Sequence, residues 1–288
     1  MKFARLGSAG HETPAAIVDK DGTPVCYDLS PLTNDIDGAF FASGGVAEAR
    51  RALTVGALTQ IPDAAGQRVG SAIARPSSII CIGMNYAAHA AESGSAPPEV
   101  PIIFLKTANT IAGPNDDVTI PKGSEKTDWE VELGVVIGKR TSYLDSPADS
   151  IRHIAGFVTA NDLSERAFQL EVSGGQWSKG KSCAGFSPVG PWVSTPDEVE
   201  YNNLRLRSWV NGEPRQDSRT SDFIFDVDDI VWHLSQYLVL EPGDLIMTGT
   251  PQGVALSGDY PYLKPGDVCE IDVEGLGRQR QKFVAYTS

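Results

Sequence analysis

Polar and hydrophobic positions alternate in the middle of the chain, in the stretch KTDWEVELGVV at residues 126–136. Its acidic residues, Asp128, Glu130 and Glu132, occupy every second position, and an apolar segment follows directly. Because side chains two residues apart on a strand point to the same face, the three carboxylates are predicted to line up roughly 6–7 Å apart. The apolar segment is hydrophobic on both faces, which is typical of a strand that enters a core. The pattern therefore predicts a strand whose carboxylates lie near the mouth of a buried site.

The first part of the chain reads as a small lobe with both strands and a helix. Two apolar runs flank Asp21-Gly22, a dipeptide that predicts a hairpin turn. The stretch GGVAEARRALTVGAL repeats apolar residues three and four apart, which predicts a helix. A buried strand is then predicted from ARPSSIICIG. We expect an α+β N-terminal lobe over residues 1–74 and a larger domain over 75–288.

The larger domain is predicted to be mixed and mainly β. Turn signals are frequent: Asn211-Gly212 predicts a tight turn, and EPGD and KPGD carry the Pro-Gly order of type II turns. DIVWHLSQYLVL predicts a late amphipathic helix, and SERAFQ the start of another. No repeat of 20–50 residues is visible, so a solenoid or propeller is not expected.

Composition and charge narrow the possible partners. Hydrophobic residues at 41% and charged residues at 21% are values of a globular protein. The net charge is −13 and no long basic cluster occurs, so nucleic acid and anionic membranes are not expected as partners. No apolar run is long enough for a membrane span, and the N-terminus lacks the apolar region of a secretory signal, so the predicted location is cytoplasmic.

The four cysteines include no C-x-x-C pair, which argues against a zinc ribbon or a disulfide framework. Cys183, close to Lys181, is a candidate thiol nucleophile, but no neighbouring histidine supports that role.

The carboxylates of the central strand are candidate metal ligands. Carboxylates in a half-buried site repel one another and take up protons unless a cation neutralises them. A hard divalent ion bound by oxygen, such as Mg²⁺ or Mn²⁺, meets this need. Asp162 of GFVTANDLSERAFQ is a candidate third ligand, or else a helix N-cap. A solvated sheet edge, which needs no ligand, is the alternative interpretation of the row itself.

His89 and Glu92 of CIGMNYAAHAAESG are candidates for acid–base chemistry. Residues three apart share a face of a helical turn, and a histidine held by a carboxylate is a general base with a fixed tautomer. A surface glutamate beside a core or capping histidine is the alternative. The Ala- and Gly-rich flanks would suit a mobile lid that carries the pair over a site.

These stretches, together with PIIFLKTANTIAGPND, GQWSKGKS, PVGPWV and LEPGDLIMTGTPQGV, closely resemble the fumarylacetoacetate hydrolase family over roughly residues 78–275. The resemblance implies a β-sandwich or roll catalytic domain, a homodimer and one Mg²⁺ or Mn²⁺. It implies that Glu130, Glu132 and Asp162 are the metal ligands and that Asp128 is a supporting carboxylate.

The resemblance also implies roles for other residues. His89 and Glu92 match the pair that activates water in the family's hydrolases, here for attack on the C4 carbonyl. Lys181 of GKS is implied as a further catalytic residue, in contact with the oxo-acid end of the substrate together with Arg166 and Gln169. The implied substrate-binding positions are Arg166, Gln169, Thr250 and Lys106.

A 2,4-dioxo acid fits this arrangement as a substrate. Its 2-oxo oxygen and carboxylate chelate a metal, and cleavage of the C3–C4 bond leaves a pyruvate enolate whose charge a cation stabilises. Within the family, the motifs look most like the sugar-acid and acylpyruvate hydrolase branch. Related reactions stay open: oxaloacetate decarboxylation, isomerisation or hydration of oxo-diacids, and ureidoglycolate cleavage.

One position departs from the family pattern. Many members continue G-K-S-x-D, whereas this chain has Ala184 where the aspartate is common, which puts the support of Lys181 and the substrate preference in doubt.

Other functional classes make different demands on the sequence. A non-catalytic protein that binds a metal or oxo acid would not need His89 and Glu92. A serine hydrolase or a nicotinamide enzyme would need G-x-S-x-G or G-x-G-x-x-G, and neither occurs.

Overall fold

The computed structural model describes residues 1–92, 94 and 96–287. Most of its regular structure is β. The strands are β1 (Lys2–Leu6), β2 (Thr13–Lys20), β3 (Thr23–Asp28), β4 (Ile79–Gly83), β5 (Ile102–Lys106), β6 (Ile111–Ala112), β7 (Val118–Thr119), β8 (Thr127–Asp128), β9 (Val131–Ile137), β10 (Ile154–Asn161), β11 (Ser164–Glu165), β12 (Ser187–Pro188), β13 (Val193–Ser194), β14 (Arg205–Val210), β15 (Glu213–Arg219), β16 (Leu245–Met247), β17 (Val268–Val273) and β18 (Gly277–Val284). The α-helices are α1 (Gly38–Ala42), α2 (Gly45–Thr54), α3 (Ala87–Glu92), α4 (Ser178–Lys181) and α5 (Val227–Ser235).

Two large sheets carry the architecture. The first has nine strands in the order β3-β2-β1-β13-β10-β9-β16-β4-β5, and the second has five in the order β15-β14-β17-β18-β7. Two-stranded pairs, β11-β8 and β12-β6, lie beside them. Neighbouring strands in the large sheets are antiparallel except for β16-β4 and β18-β7. The mixed, mainly β fold class predicted from the sequence is confirmed.

The hydrophobic core has two major parts, and β9 contributes to both. Val131, Leu133 and Val135 belong to the cluster that includes the apolar residues of β14, β17 and α5. Val136 belongs to the cluster that includes residues of β1, α1 and α2. Every residue of β9 is buried, as expected for a strand between two packed layers. The strand that follows the carboxylates therefore packs against hydrophobic side chains on both of its faces.

The N-terminal strands continue the nine-stranded sheet. β1 pairs with β13 through Lys2–Ser194 and with β2 on its other side. The predicted hairpin at Asp21-Gly22 joins β2 to β3, and both turn residues have positive φ (53° and 82°) as a type I′ turn requires. We propose that residues 1–74 are a lobe joined to the rest of the chain by this shared sheet.

The helices are few and short. α2 lies within the predicted stretch, and its Ala49 and Ala52 are buried. The predicted late helix forms as α5 but ends at Ser235, and Leu240, the last residue of that stretch, pairs as an isolated bridge with Thr141. None of the helices in the described part of the chain has the length and apolar character that a membrane crossing needs.

Gly156 lets β10 approach β13 closely. A Cβ at this position would overlap the carbonyl oxygen of Ser194 and would lie 2.7 Å from Cγ1 of Val193. We expect Gly156→Ala to lower the free energy of unfolding by about 1–3 kcal/mol or more, because the strands must separate to admit the methyl group. Urea denaturation would measure this loss.

Gly66 provides the control, because a Cβ there meets no atom within 4 Å. Gly66→Ala is expected to be neutral or to stabilise the protein by up to about 1 kcal/mol. Equal stabilities of the two variants would contradict the steric explanation.

Candidate active site

Three carboxylates meet where β9 begins and β10 ends. The two strands pair antiparallel, with Glu132 opposite Ala160. Asp162 follows β10 directly, and its backbone N–H donates to the carbonyl oxygen of Glu130 (3.0 Å). This register brings one carboxylate oxygen from each of Glu130, Glu132 and Asp162 within 4.8 Å of the others. All three residues are buried, so the predicted ligand set forms a compact cluster of oxygens.

Three cationic side chains surround these carboxylates. Lys181 Nζ donates to Glu130 Oε2 (2.7 Å) and to Asp162 Oδ2 (2.8 Å). Lys106 Nζ donates to Asp162 Oδ1, and Arg166 donates through a terminal nitrogen to Glu130 Oε1 (2.7 Å). All three cations are almost fully buried. Burial of charge is costly unless it is paired and hydrogen bonded, and this network provides the pairing.

Asp128 supports the network from behind. Its Oδ2 accepts from Arg166 Nε (2.8 Å) and from the backbone N–H of Leu256 (3.0 Å). Its Oδ1 accepts from the backbone N–H of Ala255 (2.9 Å) and from that of Trp129 (2.9 Å). Asp128 therefore orients Arg166 and fixes the loop at 255–256.

The predicted continuous strand through the carboxylates is wrong in one detail. β8 ends at Asp128 and β9 starts at Val131, so Trp129 and Glu130 lie outside the ladder. The reason is that side chains replace the ladder bonds here: the backbone N–H of Glu130 donates to Asn161 Oδ1 (3.1 Å). Trp129 still packs in the core opposite the site, as the alternation predicts.

The predicted helix start at SERAFQ is also wrong in part. Ser164 and Glu165 form β11, which pairs with β8, and a single wide helical turn follows over Ala167–Glu171. The Glu165 carboxylate accepts from the backbone N–H of Phe168 and so caps this turn. The strand-to-turn junction places Arg166 between the two elements.

The electrostatics of the cluster suit a divalent cation. Burial alone would raise the pKa of Glu130, but Lys181 and Arg166 outweigh it and lower that pKa to about 2. The pKa of Glu132 is raised well above its usual value, first by burial and then by Asp162 and Glu130. The charge of Lys181 and a hydrogen bond from the backbone N–H of Gly249 (2.8 Å) offset this only in part. The charge of Glu132 is thus incompletely compensated, and a cation held by the three carboxylates would supply the rest.

The histidine–glutamate pair forms on α3. Nδ1 of His89 lies 3.3 Å from Oε2 of Glu92, as the three-residue spacing predicts. Both oxygens of Glu92 accept from the backbone N–H of Gly253 (3.1 and 3.3 Å), which ties the pair to the loop after Thr250. Ser93, in the segment predicted to act as a lid, lies outside the described residues.

A cavity of about 480 Å³ collects most of the predicted site residues. Its polar lining consists of His89, Glu92, Glu130, Glu132, Arg166, Gln169, Lys181, Thr250 and Ser257. Asp162 and Lys106 lie behind this lining. The Asp162 carboxylate accepts hydrogen bonds from both Lys181 and Lys106. The pair and the carboxylates therefore face one common space.

Two predicted substrate-binding residues are occupied by contacts within the protein. Lys106 Nζ donates to Asp162 Oδ1 and to the carbonyl oxygens of Leu163 and Phe186, and its side chain has no exposed surface. The Thr250 hydroxyl donates to the carbonyl oxygen of Val131 (2.9 Å). Gln169, a third predicted substrate-binding residue, accepts from Arg166 through its side-chain oxygen and lines the cavity.

Several buried amides that hold the site escaped the sequence analysis. Gln216 donates to Thr250 Oγ1 (2.8 Å) and accepts from the backbone N–H of Val131 (3.0 Å). Asn85, just before α3, donates to the carbonyl oxygen of Thr248 (2.8 Å). Asn85 lies within the stretch CIGMNYAAHAAESG and could have been suspected from the sequence, whereas nothing near Gln216 in the sequence points to the site.

Lys181 is carried by a short helix docked on the sheet edge. Ser178 Oγ of α4 donates to the carbonyl oxygen of Leu105, and the backbone N–H of Thr107 donates to Ser182 Oγ (3.1 Å). Gly180 allows close contact, because a Cβ there would overlap the backbone carbonyl of Glu165. The direction of the lysine is thus set by α4 and by its carboxylate partners.

Comparison with known proteins identifies the family of this chain. The family model described as fumarylacetoacetate (FAA) hydrolase C-terminal matches residues 78–284. The chain belongs to the fumarylacetoacetate hydrolase family. A protein from Burkholderia multivorans whose name assigns it to the hydrolases is 44% identical over 286 residues, covering 98% of each chain.

Solved structures of this family resemble the fold over the full chain. The 5-carboxymethyl-2-hydroxymuconate delta-isomerase from Mycobacterium smegmatis has a TM-score of 0.79 at 32% identity, and 100% of each chain is covered. The maleylpyruvate hydrolase from Sphingobium sp. SYK-6 has a TM-score of 0.79 at 26% identity, with coverage of 99% of this chain and 100% of the other. The family predicted from the motifs is confirmed, and its members generally bind a divalent metal.

Two neighbours of Lys181, Ala184 and Cys183, can now be compared with the pattern of the fumarylacetoacetate hydrolase family. Lys181 is oriented by Glu130 and Asp162, so it does not depend on a carboxylate at Ala184. Burial raises the pKa of Cys183 to about 11, which argues against the thiol nucleophile considered from the sequence.

Asp128 offers a test of the buried network. Asp128→Asn would leave Arg166 with less than its full compensation, and we expect the free energy of unfolding to fall by about 3–5 kcal/mol. Denaturant titration monitored by tryptophan fluorescence would measure the change. Asp272→Asn removes one partner of the more exposed pair with Arg207 and should cost below about 1 kcal/mol. A similar cost for both variants would contradict the importance of burial.

Proposed function

We propose that this protein is a Mg²⁺- or Mn²⁺-dependent hydrolase that cleaves the C3–C4 bond of a 2,4-dioxo acid, an acylpyruvate or diketo sugar acid. The products are pyruvate and a carboxylic acid. The observation that carries this proposal is the single cavity lined both by His89 and Glu92 and by the carboxylates Glu130 and Glu132. A general base and a candidate cation site on one cavity are what hydrolysis of a dioxo acid needs.

The proposed metal ligands are Glu130, Glu132 and Asp162. A divalent cation held there would act as a Lewis acid that stabilises negative charge on the 2-oxo oxygen and carboxylate of the substrate. Lys181 holds Glu130 and Asp162 in position. We propose that Lys106 positions Asp162 in the same way, since its three donors are directed to protein oxygens.

His89 is the proposed general base. With Nδ1–H donated to Glu92, Nε2 is left as the acceptor of a proton from water. The water oxygen then bonds to C4, and the C3–C4 bond breaks with its electron pair moving to C3. The proton taken by His89 is available to C3, which completes pyruvate. Glu92 keeps the ring in the required tautomer and orientation.

Arg166, Gln169 and Thr250 are the proposed residues around the oxo-acid end of the substrate. All three line the cavity. Arg166 is held by Asp128 and Glu130, so we assign it a long-range electrostatic role and assign direct donation to the Gln169 amide. The homodimer and the cytoplasmic location remain predictions from the family resemblance and from composition.

Isomerisation of an unsaturated oxo-diacid is the second candidate function. The isomerase from M. smegmatis has the same fold and similar length, so fold alone does not separate the reactions. An assay panel would separate them: acylpyruvates, a 2,4-dioxo-3-deoxy sugar acid, oxaloacetate, an unsaturated oxo-diacid and ureidoglycolate. Release of pyruvate from a dioxo acid supports the hydrolase, whereas activity confined to another member of the panel contradicts it.

Replacement of the proposed base gives a direct test of catalysis. We expect His89→Ala to lower kcat/KM for the preferred dioxo acid by about 10²–10⁴-fold, because proton transfer from water loses its acceptor. Coupled detection of pyruvate would measure the rate. His233→Ala serves as the control, since His233 lies on α5 against Tyr237. Turnover that survives His89→Ala would overturn the assigned role, and a metal or oxo-acid binding protein would show no turnover at all.

Metal binding is tested separately from turnover. We expect Glu132→Gln to weaken Mn²⁺ binding by more than the roughly 10–100-fold that loss of an indirect partner costs, because a ligand oxygen loses its charge. Isothermal titration calorimetry with Mn²⁺ would measure the affinity. Glu171→Gln, at an exposed pair with Lys126, should bind Mn²⁺ as the unaltered protein does. Unchanged affinity in Glu132→Gln would remove this residue from the ligand set.

A further inference from the structure

One part of the cavity lining is apolar. The rings of Phe104 and Trp177 meet edge to face with centroids 5.5 Å apart. Trp177 also lies over Gly83, where a Cβ would approach the ring to 2.6 Å. Nζ of Lys181 is 5.3 Å from the Phe104 ring centroid, so this surface borders the charged cluster directly. Leu170 adds an aliphatic side chain to the lining.

The basic side chains of the lining are already paired. Among the cavity-lining residues that the structure describes, they are His89, Arg166 and Lys181. Arg166 and Lys181 donate to carboxylates of the protein, and His89 faces Glu92. A second carboxylate on a substrate would therefore find no uncommitted cation in this lining.

The charge balance of the site leads to the same conclusion. Four buried carboxylates, from Asp128, Glu130, Glu132 and Asp162, face three buried cations, from Lys106, Arg166 and Lys181. A bound divalent cation would turn this deficit into one excess positive charge, which the C1 carboxylate of one substrate neutralises. Glu92 adds a further negative charge beside His89. Another carboxylate in the cavity would find no counter-charge from the protein, and contact with Phe104 and Trp177 would cost it part of its hydration.

We propose that the acyl group of the substrate is uncharged. On this inference, which rests on the proposed function, the substrate is a monoanionic 2,4-dioxo acid whose alkyl or aryl group at C4 packs on Gly83, Phe104, Leu170 and Trp177. Dicarboxylic dioxo acids are poor substrates of this chain.

Binding of two unreactive ligands tests the inference without turnover. 2-Oxoheptanoate and 2-oxoheptanedioate have the same chain length and lack the C4 carbonyl, and they differ only in a methyl or carboxylate group at C7. Calorimetry with the Mg²⁺-loaded protein should show at least about tenfold tighter binding of the monoacid, a ratio that corresponds to about 1.4 kcal/mol. Equal or tighter binding of the diacid, or no binding of either, overturns the inference.

Turnover of the matching dioxo acids distinguishes the two levels of the proposal. 2,4-Dioxoheptanoate should have a kcat/KM at least about tenfold above that of 2,4-dioxoheptanedioate. Cleavage that favours the diacid would overturn the inference and leave the proposed hydrolase standing. Monoacid preference in calorimetry, without cleavage of either compound or of any dioxo acid in the assay panel, would overturn the proposed function and support the inference about the cavity.

A new charge at Leu170 tests the placement of the acyl group. Leu170 is 44% exposed, so an arginine can be accommodated without burial of its charge. We expect Leu170→Arg to shift the ratio of the two affinities toward the diacid by about threefold, the effect of a charge pair at a partly exposed position. Leu170→Met is the matched control for shape and should keep the original ratio. Identical ratios in the two variants would contradict the placement of the acyl group on this surface.

Discussion

Lys181 bridges two carboxylates that lie on different segments of the chain, and the geometry of the whole site depends on this contact. Glu130 and Asp162 would repel each other if they were buried alone, and the ammonium between them makes their proximity favourable. Arg166 and Lys106 extend the same compensation to each side. The charges come from β5, the β8–β9 connection, the end of β10, the residue after β11 and α4, so their pairing helps to fix how these elements pack together.

The loop at 249–257 connects this charged cluster to the proposed base. Its Gly249 N–H binds Glu132, its Gly253 N–H binds Glu92, and the N–H groups at 255–256 bind Asp128. Backbone donors are fixed in direction by the fold, which makes them suitable partners for carboxylates that must keep their charge and orientation. The proposed metal ligands and the proposed catalytic pair are therefore held in register by one stretch of main chain.

Periodicity could predict the features that depend on local geometry. The hairpin at Asp21-Gly22, the core face of β9 and the contact of His89 with Glu92 each follow from spacing along the chain. The interruption before Val131 could not be predicted, because its cause is the amide of Asn161 on another strand. The same holds for Lys106, whose partners lie at least 56 residues away in sequence. Motif resemblance named that lysine as a site residue, but only the three-dimensional contacts show that its charge serves the protein's own carboxylate.

The docking of α4 on β5 has a consequence beyond the chemistry of Lys181. β5 is an edge strand of the nine-stranded sheet, and its Leu105 side chain is 49% exposed. An open apolar edge can recruit strands from other molecules and so promote aggregation. Ser178 binds the carbonyl group of Leu105, and Ser182 binds the N–H group of Thr107 just beyond the strand. The segment that supplies the lysine thus also shields the sheet from intermolecular strand addition, which links solubility to the integrity of the site.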